Sequence, residues 1–172
     1  DYNNACACYE KAIQIDPNNG SYYRDYAIAL ACSGNTDEAK KILSSAQNQG
    51  MDSVEAEYVQ GEISFNEGDY QTAKNIFLGC IDKTEDSYTK MRSYIMTAKC
   101  IDKMNSGVAG LQEKIQLLEE AEQKLPMDNN IGVLEELAQT YCDAGDGGET
   151  DYYQKAIEIF KKIEKQGMGD YD

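Results

Sequence analysis

Six cysteines, a loop crowded with carboxylates and glycines, and no histidine are what these 172 residues offer toward chemistry. Without histidine the chain lacks the commonest general base near neutral pH, the commonest metal ligand, and the usual activator of serine or cysteine nucleophiles. Cys6-Ala7-Cys8 could open a metal site, but no second ligand pair stands at zinc spacing. Asp143, Asp146, Glu149 and Asp151 flank Gly145, Gly147 and Gly148, yet the order and closing glutamate of a calcium loop are missing. No Gly-Lys-Ser/Thr run follows these glycines, so they do not cradle phosphate. The residues predict no catalysis, no metal and no cofactor.

The cysteines read as structural. Cys6 and Cys8 stand two apart, which on a helix turns them to nearly opposite sides and prevents their mutual bridging. Cys80 falls in a small core slot, and Cys32, Cys100 and Cys142 each fall late in a predicted helix. Scattered cysteines of this kind suit a reducing compartment, although an even count leaves bridges open. Acidic residues outnumber basic ones by 31 to 16, for a formal charge of −15. That field repels phosphate backbones and anionic membranes and attracts a basic protein or peptide. No run of 18 apolar residues occurs and no signal-like segment leads the chain.

The elements that carry these residues repeat. Gly34-Asn35-Thr36-Asp37-Glu38-Ala39-Lys40-Lys41-Ile42-Leu43 recurs 34 residues later as Gly68-Asp69-Tyr70-Gln71-Thr72-Ala73-Lys74-Asn75-Ile76-Phe77. Ala5 stands the same 34 residues before Ala39. A fixed period of this size marks stacked repeats. Residues 1–19 read as the second helix of a repeat, so the chain opens in mid-repeat, as a piece of a longer protein would. Residues 20–52 and 53–85 are two complete helix pairs, with Asn35 or Thr36 capping one second helix and Asp69 the other. Residues 86–128 and 129–172 are two further pairs with insertions, since the steps from Ala73 to Lys114 and from Lys114 to Ala156 are 41 and 42. Lys114 in an alanine slot predicts looser packing or a side chain snorkelling out along the seam. The fourth first helix is expected to end at Ala144-Gly145, with an extended loop over 146–149 and Thr150 as cap. Gly169 to Asp172 reads as a frayed approach to another repeat.

Helix pairs at this period resemble the tetratricopeptide repeat family. Tyr23-x2-Tyr26-Ala27-x2-Leu30 with Ala39-x3-Leu43 fits its pattern, as do Gly61 with Ala73-x3-Phe77, and Leu134-x2-Leu137-Ala138-x2-Tyr141 with Ala156-x3-Phe160. Pro17 and Pro126 take the place of its helix-ending proline. The tryptophan slot departs, holding Tyr23, Glu57, Met91 and Leu134. The resemblance implies an all-α, right-handed superhelical solenoid of antiparallel helix pairs, about nine helices in all. Small residues at Ala27, Gly61 and Ala138 would let paired helices approach closely.

In that family the first helices line a concave groove that binds peptides. Carried over by register, the groove would show Arg24 and Ile28, then Glu55, Tyr58, Glu62 and Phe65, with Tyr58 and Phe65 as exposed aromatic anchors. Farther along it would show Arg92, Met96 and Lys99, then Glu135 and Gln139. The positions of a carboxylate clamp hold Arg24, Ile28, Val59, Thr89 and Ser93, and only the first is cationic, so chaperone-tail clamping is not expected. The function implied is a non-enzymatic protein-interaction scaffold. Two alternatives stand beside it: a positioning or regulatory arm of a larger protein, and a self-association element using an unpaired Tyr2/Tyr9 face.

Overall fold

The computed structural model describes residues 2–105 and 107–167, with no side-chain description at position 129. Gly169 to Asp172, and Ser106 in the expected break after Met104, lie outside the described residues. Among the described residues there are nine α-helices and no strand. They fall into two compact units, Asp1–Lys83 and Thr84–Asp172.

The first unit holds α1 (Tyr2–Ile15), α2 (Gly20–Cys32), α3 (Thr36–Asn48), α4 (Ser53–Asn66) and α5 (Tyr70–Lys83). Helices α2 and α3 pair, as do α4 and α5, and α4 also lies against both α2 and α3. Ala27, Ala39, Val59, Ile63, Ala73, Phe77 and Cys80 lose all contact with solvent. This is the core that the alanine spacing predicts. Helix α1 packs on α2, and Cys6, Tyr9 and Ile13 are turned onto the α2–α4 core. Tyr9 is therefore half-buried, and only Tyr2 of the expected Tyr2/Tyr9 face is largely exposed.

Local chemistry sets the helix ends. The side chains of Asn19, Asp52 and Asp86 accept from backbone N–H groups of the first turn that follows, and Asp69 accepts from Thr72 N at 3.1 Å. Asn35 makes no such bond; its amide donates to Ser33 Oγ instead. Four of the turns after helices close identically. Gly34, Gly50, Gly68 and Gly148 have positive φ, and the N–H of each following residue donates to the carbonyl five residues back. A side chain would strain that left-handed backbone, which is why the glycines recur.

The second unit holds α6 (Ser87–Met104), α7 (Val108–Lys124), a single 3₁₀ turn over Met127–Asn129, α8 (Ile131–Asp146) and α9 (Asp151–Gly167). Helix α6 pairs with α7 and α8 with α9, while α8 also touches α6 and α7. The expected end of α8 at Ala144-Gly145 is corrected. The helix runs to Asp146, because the left-handed residue that stops it is Gly148 and not Gly145. The 3₁₀ turn after Pro126 has no counterpart in the first unit and absorbs part of the longer repeat.

Candidate functional site

Helix α6 presents the most site-like surface. Its exposed edge carries Tyr88, Arg92, Lys99 and Lys103, spaced so that all four fall on one side of an 18-residue helix. Arg92 sits over the Tyr88 ring at 4.7 Å from its centroid, a cation–π stack at the helix start. Tyr88 is about half exposed, Arg92 partly so, and Lys99 and Lys103 are exposed. Asp86 fixes where this helix begins, since its carboxylate accepts from Thr89 N at 2.7 Å. The row is cationic in a chain of net charge −15.

Helix α8 packs against α6. Glu135 and Gln139 are exposed there. Gly132 sets the approach: a Cβ on it would lie 3.1 Å from Ile95 Cδ1 of α6. Lys114 of α7 ties the unit together, with its Nζ 2.7 Å from Asp102 Oδ2 of α6 and 2.7 Å from Glu136 Oε1 of α8. Its side chain is only 6% exposed, so the expected snorkelling is corrected. The ammonium stays inside because two carboxylates meet it there. Burial alone would lower its pKa, but the bonds to Asp102 and Glu136 outweigh it and raise the value above that of an ordinary lysine.

In the first unit Arg24 is the organising charge. It binds Asp25 at 2.6 Å and crosses from α2 to Glu55 of α4 at 2.5 Å. Ile28 is partly exposed. Tyr58 and Glu62 do not offer the surface expected of them. Tyr58 is 3% exposed, packs at a tilt against Phe77 at 5.3 Å between centroids, and donates its hydroxyl to Glu62 Oε1 at 2.7 Å. Phe65 is half-buried, edge-on to Tyr70 at 5.2 Å. Met96 is likewise buried. The physical reason is common to all of them: first helices pack on more than one neighbour, so their large side chains are consumed in the stack.

Tyr88 and Lys103 were not in the carried-over register. Their signal was available in the sequence as the spacing of four that puts Tyr88 beside Arg92, and Lys99 beside Lys103, on one helical face.

The family model described as "Tetratricopeptide repeat" matches residues 1–63. A crystal structure of MamA is 20% identical, with a TM-score of 0.58 over 98% of this chain and 90% of that one. Residues 1–63 thus match the tetratricopeptide repeat, and the chain as a whole shares the fold of MamA. The same fold is seen in the nearly identical repeats of a putative kinesin light chain from Podosopora anserina, at 16% identity, TM-score 0.57, and coverage of 96% and 86%. YrrB, described as a tetratricopeptide protein with an unusual peptide-binding site, matches at 16% identity and TM-score 0.53, covering 98% of this chain and 79% of that one. No curated protein sequence is similar enough to count as a relative. Tetratricopeptide folds mediate protein–protein interaction. Among the described residues no helix is long and apolar enough to cross a membrane.

Proposed function

We propose that this repeat array is a non-enzymatic scaffold that binds an extended peptide along the α6–α8 face of its second unit. The observation that carries the reading is the row Tyr88, Arg92, Lys99 and Lys103, an aromatic anchor stacked with a guanidinium and followed by two open ammonium groups. Aromatic and arginine side chains supply most of the binding energy in peptide interfaces, and paired cations select acidic side chains. Glu135 and Gln139, exposed on α8, suit the backbone N–H groups or a basic residue of the same peptide. The bound segment is therefore mainly acidic with an aromatic residue at one end, which reverses the basic partner suggested by net charge alone. The local field of one helix face, within about 8 Å at physiological salt, outweighs the distant charge of the chain.

The test is capture from a native lysate with the intact chain beside a Tyr88→Ala/Arg92→Ala/Lys99→Ala variant. Partners retained by the first and lost by the second support the reading. Partners retained equally by both place binding on another surface.

A further inference from the structure

A pocket of about 340 Å³ opens where the end of α7, the 3₁₀ turn, the start of α8 and the end of α9 meet. The turn that walls it is the one with no counterpart in the first unit. Lys162 and Gln166 stand on the side of α9 that meets its neighbours. Lys162 pairs with Glu122 of α7, and Gln166 Nε2 donates to Asn130 Oδ1 at 3.2 Å. Helices of this chain therefore bound the pocket on those sides. None of its lining residues belongs to α6, so it is separate from the proposed peptide surface.

The lining says what fits. Leu125 and Leu134 are 5% and 1% exposed and supply an apolar floor, to which the exposed Met127 adds a wall. Three charges line the pocket, Lys162, Lys165 and Glu122. Glu122 is taken by Lys162, which leaves the ammonium of Lys165 as the surplus. Asp128, Glu158 and Glu164 are exposed and do not line it. Asn130 begins α8, the end at which a helix carries partial positive charge. Asn130 is itself 5% exposed, and among the described residues its amide N–H groups meet no acceptor. Gln166 Oε1 is buried without a donor. The terminal torsion of a glutamine is soft, so a small turn of the amide presents that oxygen to the pocket. An acceptor left unsatisfied is costly, and a ligand N–H relieves it.

We propose that this pocket binds one apolar residue with a free α-carboxylate and an acylated nitrogen, as an N-acyl amino acid or the last residue of a polypeptide presents them. The carboxylate meets Lys165 and the start of α8. The amide N–H donates to Gln166 Oε1, and the acyl carbonyl accepts from Asn130 Nδ2. The side chain lies on Leu125, Leu134 and Met127. The volume is at the low end of ligand pockets, which run from about 300 to 1,000 Å³, and so suits a single residue. A ligand this small is expected to bind with a Kd of about 1 mM.

The experiment is a titration of the isotope-labelled intact chain with N-acetyl-L-leucine, read by NMR at the side-chain amides of Asn130 and Gln166. Both should shift and saturate. N-acetyl-L-leucinamide lacks the charge, and acetate lacks the amide and the apolar group; each should bind at least about tenfold more weakly. Lys165→Glu and Gln166→Leu should each raise the Kd about tenfold while circular dichroism shows the helices intact. A triglycyl-leucine peptide separates the two sources. Binding tighter than N-acetyl-L-leucine marks a polypeptide end, and equal or weaker binding marks a free acyl amino acid. Amides that do not shift at about 20 mM, roughly twentyfold above the expected constant, would overturn the proposal. So would leucinamide or acetate binding as well as N-acetyl-L-leucine, or an affinity that neither variant changes.

Discussion

Gly61 and Phe77 fit against each other so closely that a Cβ on Gly61 would lie 2.7 Å from Phe77 Cε1. The corresponding positions of the preceding pair hold Ala27 and Leu43, a larger residue facing a smaller one. The two pairs solve one packing problem with opposite size assignments. Gly61→Ala gains about 1 kcal/mol of helix propensity but forces a fully buried ring to move. A net destabilisation of about 1 kcal/mol is expected by urea denaturation. Adding Phe77→Leu should recover part of that loss, with a coupling energy of about 1 kcal/mol in the double-mutant cycle. Strict additivity would contradict the fit.

Lys114 replaces the repeat alanine with a charge shared by Asp102 and Glu136. Restoring alanine by Lys114→Ala leaves two carboxylates facing an apolar slot. Asp102 and Glu136 are 51% and 27% exposed, so water can reach both, and the cost is about 2 kcal/mol and not the 3–5 typical of a fully buried pair. Lys114→Met keeps the stem and should cost about 1 kcal/mol. The lysine pKa is raised in the folded state, so its contribution is complete below about 10.4 and fades as pH rises through the higher folded value. Denaturation of wild type and Lys114→Met at pH 8 and pH 11 checks this; a gap that widens at high pH would refute it.

Asp86 starts the helix that carries the proposed peptide surface. Bonds from the Thr89 side chain and then from its backbone N–H hold the carboxyl below its ordinary value. A lowered folded pKa gives stability that is present above about 3.9 and lost as pH falls through the folded value. Asp86→Ala should therefore cost about 1 kcal/mol at pH 7 and progressively less in more acid solution. Thermal melts of both proteins across that range give the comparison, and a difference independent of pH would rule out the cap as its origin.

Cysteine reactivity should follow burial. Cys80 and Cys100 are fully buried, and burial pushes the Cys80 thiol up to about 11. Cys8 is exposed. Iodoacetamide at pH 8 should label Cys8 within minutes and spare Cys80 and Cys100 until the chain unfolds, because the thiolate is the reacting form. Mass mapping of a time course reads this directly. Early labelling of Cys80 would mean that α5 opens locally.

The fold was legible because its signals are local or strictly periodic. Gly34 and Gly68 recur at the period because each closes a turn through a left-handed backbone, and Ala39 and Ala73 recur because two helices meet there. Extending the pattern through Ala138 and Ala156 required only that the spacing be allowed to lengthen. The candidate surface was less legible. Helix α4 buries Ala56, Tyr58, Val59, Gly61, Glu62, Ile63 and Ser64, residues spread over most of its circumference. No sequence pattern then says which side is open, and Tyr58 and Glu62, which the repeat register turns outward, satisfy each other inside. Lys114 shows the same limit: its partners Asp102 and Glu136 stand 12 residues before and 22 residues after it, and only the packing of three helices brings them together.

The most direct test of the central claim is a peptide-display selection against the intact chain and against Arg92→Glu/Lys99→Glu. The wild-type chain should enrich acidic peptides that share an aromatic residue, and the variant should enrich none of them. Enrichment of the same peptides by both proteins, or of basic peptides by wild type, would contradict binding along the Tyr88–Lys103 row.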